Sequence, residues 1–126
     1  MNFKRHLFPA VALLMLAGTS FTVLRAATVV PKGYVIAEIT VTDPEAYKSY
    51  VAAVGPLVAR FGGKYVVRGG QIIAVEGDPP MDRFVVIEFG SLAAARSFEG
   101  SPEYQTIAPL RRKSARSRVF LVEGAS

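Results

Sequence analysis

A doubled pattern constrains this chain more than any other feature. Tyr34-Val35-Ile36-Ala37-Glu38-Ile39 aligns with Phe84-Val85-Val86-Ile87-Glu88-Phe89. Each run has the length and β-branched content of a strand, with alternate side chains on opposite faces. A helix start in matching residue types accompanies each: Asp43-Pro44-Glu45 with Tyr47, and Ser101-Pro102-Glu103 with Tyr104. In both, an oxygen-bearing side chain caps the helix, proline fits the first turn, and an acid sits at the positive end of the dipole. Capping chemistry alone can arise by convergence. Strand and helix echoing together predict two β-α-β units in the split, ferredoxin-like arrangement. The expected class is therefore α+β, in the order βαββαβ, with an antiparallel sheet and helices on one face.

The first strand is expected over 34–41, with Val35, Ala37, Ile39 and Val41 on one face and Tyr34, Ile36, Glu38 and Thr40 on the other. Tyr47, Tyr50, Val54, Leu57, Val58 and Phe61 recur at helical spacing, so the next helix buries one stripe. Gly55-Pro56 is expected to kink it and Gly62-Gly63 to end it. Strands over 64–68 and 72–76, joined at Gly69-Gly70, read as a hairpin between the two halves. A strand over 83–89 follows, then a short helix capped by Ser91, a second helical piece from Ser101, and a last strand over 119–123.

The length of 126 residues suits one domain. Lys4, Arg5 and His6 precede an apolar run over 7–16, and small residues Ala17 to Ser20 follow, the pattern of a secretory leader. The expected map is a leader over 1–26 cleaved near Ala26, a linker over 27–33, the folded domain over 34–124 and a tail over 125–126. It places the protein in the periplasm or outside the cell. The rival is an uncleaved anchor over 7–24, which would tether the domain to a membrane.

The formal charge of +5 falls by three when Lys4, Arg5 and Arg25 leave with the leader. Five of the remaining cations cluster at Arg111, Arg112, Lys113, Arg116 and Arg118, where a helix end favours them. That cluster reads as a solvated helix terminus, and no nucleic-acid partner is expected. The chain has no cysteine, and its one histidine, His6, lies in the leader. The domain thus lacks the residues for a Ser-His-Asp triad, a thiol nucleophile, a usual zinc site or an imidazole ligand to haem. No cofactor and no metal are expected.

Helices on one face leave the other face of the sheet bare. That face would carry Ile36, Phe84, Val86, Phe120 and Val122, too much apolar surface to leave in water. A second copy packed face to face is the simplest cover, so a homodimer is expected.

Several short motifs stand in a familiar order: Gly62-Gly63-Lys64-Tyr65, Arg68-Gly69-Gly70, Val75-Glu76-Gly77, Ile87-Glu88-Phe89, Ser101-Pro102-Glu103-Tyr104-Gln105 and Leu121-Val122-Glu123-Gly124. With Gly33-Tyr34 and Asp43-Pro44, they closely resemble the family called domain of unknown function 1330, over roughly 33–124. The resemblance implies a ferredoxin-like fold of the dimeric α/β-barrel type and no settled activity. Cofactor-independent monooxygenases, haem-degrading enzymes and lactone isomerases share that wider superfamily, an analogy of fold only. The chain departs from the pattern at Gly90, where proline is usual, and at Phe98, where a larger or hydroxylated aromatic is common.

Glu38 and Glu88 are the best catalytic candidates, because they occupy matching positions on neighbouring central strands. Two such carboxylates in a partly dry interior would repel and raise one pKa, creating an acid/base. The structural alternative is an ion pair with Arg68 or Arg83 that pins the dimer. Arg68 could instead clamp a carboxylate or enolate at the hairpin end. Tyr47, Tyr50 and Tyr104 either offer phenols to a ligand or pack as core residues. The expected ligand-facing set is Arg68, Arg83, Phe84, Tyr47 and Tyr104. Three functions follow: a small-metabolite-binding domain, a cofactor-independent enzyme using a strand carboxylate, and a structural dimer with no ligand.

Overall fold

The alternating runs pair as antiparallel strands in the computed structural model, which describes residues 18–126. The charged and apolar segments of the expected leader, at 1–17, lie outside the described residues. Residues 18–32 form no helix or strand, and no described helix is long and apolar enough to cross a membrane. The elements run β1 (Gly33–Val41), α1 (Pro44–Arg60), β2 (Lys64–Arg68), β3 (Arg83–Phe89), α2 (Leu92–Glu99), α3 (Pro102–Ser114) and β4 (Ala115–Glu123). The sheet order is β2-β3-β1-β4, which sets the two echoing strands side by side at its centre. This is the ferredoxin-like βαββαβ fold, its second crossover split into two helices.

Each helix begins where its cap chemistry says it should. Asp43 accepts from the Ala46 amide at 3.1 Å, Ser91 from Ala94 at 3.0 Å and Ser101 from Tyr104 at 3.1 Å. Pro56 lies inside α1, which runs on to Arg60 before Gly62 turns the chain at φ +76°. Amides of Thr42 and Asp43 both donate to the Ser114 carbonyl, tying the start of α1 to the end of α3. Alternation then separates the sheet's faces. Val35, Ala37, Ile39, Val85, Ile87 and Phe89 are buried against the helices. Phe98 of α2 is the keystone of that layer, 1% exposed, with the rings of Phe61, Phe89 and Tyr104 at 4.8–5.7 Å. Truncating such a residue to alanine costs about 3–5 kcal/mol.

Three expectations need correction. Residues 72–76 form no strand: β2 pairs directly with β3 across a long loop, and the Gly69 amide closes on the Phe84 carbonyl at 3.0 Å. Ile73 and Val75 are 74% and 93% exposed, so the β-branched run has neither a partner strand nor a core to face. The last strand starts at Ala115, four residues earlier than expected, because Arg116 and Arg118 alternate outward while Ala115 is buried. The third concerns the carboxylates. In the antiparallel register Glu38 lies opposite Phe84 and Glu88 opposite Tyr34. Four positions separate them, about 14 Å at roughly 3.4 Å per residue. Equivalent positions of a repeat fall at opposite ends when its strands run antiparallel.

The face away from the helices carries Ile36, Phe84, Val86, Phe120 and Val122, as the alternation required, and Phe120 and Val122 are 46% and 40% exposed.

Candidate functional site

A pocket lies between the sheet and the helical layer. Its floor is Val35, Ala37 and Ile39 of β1 with Val85 and Ile87 of β3. Tyr47, Tyr50 and Val54 of α1 form one wall, and Phe98, Tyr104 and Arg111 of α2 and α3 another. Its volume is about 40 Å³, several times what a single water requires. Around this apolar interior stand four phenols and three guanidiniums.

Each arginine arrives by a different local device. Arg83 opens β3 on the helix-facing side, and the backbone of Gly69 makes room for it. A Cβ at Gly69 would fall 2.9 Å from Arg83 Nη1, and the residue's φ of +66° is itself in the left-handed region. Arg68 reaches the same side through a bulge. Tyr65 pairs with Ile87 and Arg68 with Val85, both helix-facing, because one extra residue interrupts the ladder between Tyr65 and Val67. Without it the two side chains would point to opposite faces. The Arg68 guanidinium stacks over the Tyr65 ring, 4.2 Å from its centroid. Arg111 extends the stripe of Tyr104 and Ala108 along α3 and is only 6% exposed. Its Nη1 donates to Ser117 Oγ, and its guanidinium lies over the Tyr50 ring at 5.9 Å.

The hydroxyls of Tyr50 and Tyr104 hydrogen-bond at 3.2 Å. Burial raises the pKa of Tyr47, Tyr50 and Tyr65, outweighing the lowering by neighbouring arginines, so all three stay protonated at neutral pH. Glu99, half-buried, is the one carboxylate lining the pocket. Burial raises its pKa, against a smaller lowering by Arg111 and Arg112. For Arg111, burial opposes the charge, but the oxygens of Tyr104 and Tyr50 outweigh it and raise its pKa.

Of the expected ligand-facing set, Tyr47, Tyr104, Arg68 and Arg83 come together here. Phe84 does not, since it alternates onto the opposite face. Glu38 and Glu88 are on that opposite face too, so neither Arg68 nor Arg83 can serve as their partner. Glu38 is bound by Arg118 of β4, directly across the ladder, at 2.5 Å. Glu88 accepts from the Tyr34 hydroxyl at 3.3 Å. Arg111, expected in a solvated cluster, is buried, and with Tyr65 and Glu99 it completes the site. The spacing 104, 108, 111 already placed it on the buried stripe; its charge concealed it. No group of three or more His, Cys, Asp or Glu that could hold a metal occurs among the described residues.

The family described as domain of unknown function (DUF1330) matches residues 32–125. This chain belongs to that family. No curated protein matches the DUF1330 chain significantly. Among solved structures, it is similar to a protein of unknown function from Rhodopseudomonas palustris, at 22% identity and TM-score 0.56, covering 76% of this chain and 84% of the other. It is also similar to SnoaB, a cofactor-independent oxygenase from Streptomyces nogalater, at 19% identity and TM-score 0.53, over 76% and 95% of the two chains. A dimeric ferredoxin-like protein of unknown function from Thermobifida fusca aligns at 13% identity and TM-score 0.52, over 75% and 92%. These likenesses establish the fold.

Proposed function

We propose that this DUF1330 protein is a small exported homodimeric domain that binds a small, partly apolar metabolite between its sheet and helices. The observation that carries the reading is the pocket itself: an apolar floor and walls with a few convergent polar groups, the usual make-up of a small-molecule site. Export rests on the pattern over 1–26. The homodimer rests on the apolar sheet face and is in keeping with the dimeric Thermobifida relative. Native mass spectrometry of protein purified from its own cells tests the binding reading. A small retained mass, lost on denaturation, is expected. Crystals whose pocket is filled by its own side chains, with nothing retained or soakable, would overturn it.

A second reading, a cofactor-independent enzyme, is favoured by one feature. Glu99 sits at the pocket with its pKa raised by burial, a shift in the direction that acid/base use of a carboxylate requires. Glu38 and Glu88, on the far face of the sheet, are too remote for that role. Loss of turnover in Glu99→Gln with ligand affinity retained would support the enzyme; equal loss of both would not.

A further inference from the structure

Charge at the pocket does not balance. Arg68, Arg83 and Arg111 face a single carboxylate, Glu99. Among the described residues the ion pairs are Lys48–Glu45, Arg60–Glu103 and Arg118–Glu38, none of them at this site. Tyr47, Tyr50 and Tyr65, their pKa values raised by burial, supply no negative charge to the guanidiniums. Two of the cations also keep an orphan donor: the Nε of Arg83 and the Nε of Arg111 are buried with no hydrogen-bond partner. Buried charges are ordinarily paired and buried donors satisfied, because leaving either alone is costly.

Resting on the small-molecule reading above, we infer that the ligand's polar end is a carboxylate, held by the guanidiniums of Arg83 and Arg111 while its short apolar body lies on the β1 and β3 side chains. An Arg presents Nε–H and an Nη–H as a parallel pair along one edge, and that edge fits the two oxygens of a carboxylate. Both Nε donors are unsatisfied and closed off from water, so a carboxylate meets the Nη groups first and gains Nε as the guanidinium turns toward it. A phosphoryl group fits less well. The remaining lining is mostly apolar, and the three helix starts are closed by their own caps, Asp43, Ser91 and Ser101. Arg68, exposed and stacked on Tyr65, guides the anion inward from the mouth.

The test is calorimetric and thermal-shift titration of the full-length protein with matched pairs small enough for the pocket: acetate against acetamide, propionate against propionamide, and inorganic phosphate alone. Each acid is expected to bind at least tenfold more tightly than its amide, with no effect of phosphate. Arg83→Met should weaken acid binding about 10- to 100-fold, the worth of a hydrogen bond to a charged group. The ligand-free variant should melt close to the wild type, since the buried Nε it removes had no hydrogen-bond partner. Arg68→Gln, at an exposed residue, should weaken acid binding less. Amides that bind as well as acids would overturn the carboxylate and leave the pocket a binding site, and preferential phosphate binding would do the same. No binding by acid or amide would overturn both readings. An Arg83→Met protein that melts well below the wild type would mark that guanidinium as structural, and overturn the inference.

Discussion

Glu99 is the residue at which the pocket's electrostatics can be read most directly. Folding raises its pKa, through burial first, and so favours the protonated form. Its contribution to stability is fully present below the ordinary value of 4.5 and is lost as pH rises through the raised folded value. Urea midpoints measured from pH 4 to 8 should therefore fall over that window in the wild type. In Glu99→Gln this component of the fall should disappear, and the variant should be the more stable of the two at neutral pH. Arg111 shows the limit of reading residues singly. Its helical spacing with Tyr104 and Ala108 was visible in the sequence, but its neighbours Arg112 and Lys113 made a solvated cluster the simpler account. What distinguishes it is the ring of Tyr50 and the hydroxyl of Ser117, both contributed by other elements.

At the scale of elements, the parts written by short-range chemistry were legible. Caps at Asp43, Ser91 and Ser101 and the alternation of β1 and β3 gave the helix starts and the two faces of the sheet. The parts decided by pairing were not. Ile72-Ile73 and Val75 have strand composition, but β2 pairs with β3 instead, and its outer edge stays without a partner strand. The bulge in β2 has no sequence signature of its own, and with it the side of the sheet that Arg68 takes. Glycine at the end of β2 is a sharper matter. Gly69→Ala places a Cβ at a φ of +66° and 2.9 Å from Arg83 Nη1, so a loss of about 1–2 kcal/mol is expected. Gly70→Ala, where an added Cβ meets no atom within 4 Å, should change stability by less than about 0.5 kcal/mol. Chemical denaturation of the two variants side by side checks the contrast.

At the scale of the whole molecule, the sheet separates two tasks. One face lines the pocket, and the other presents Ile36 beside Phe120 and Tyr34 beside Val122. If that second face meets another copy, a charge at its centre has to be desolvated. Phe120→Lys is expected to give a species with the mass of one chain by light scattering at micromolar concentration, where the wild type gives that of two. Its melting should show a single cooperative transition, since the substituted side chain lies outside the core. A wild type that is already a monomer would remove the homodimer.

The irregularity between Tyr65 and Val67 has a consequence for how such chains diverge. Because side chains alternate, inserting or deleting one residue in a strand acts like a frameshift in space: the positions beyond it exchange sides. A relative with one residue fewer between Gly63 and Gly69 could keep every letter of the Arg-Gly-Gly signature and still turn its arginine away from the pocket. The spacing of that segment, more than its composition, would then sort members that share this chain's chemistry from members that share only its shape.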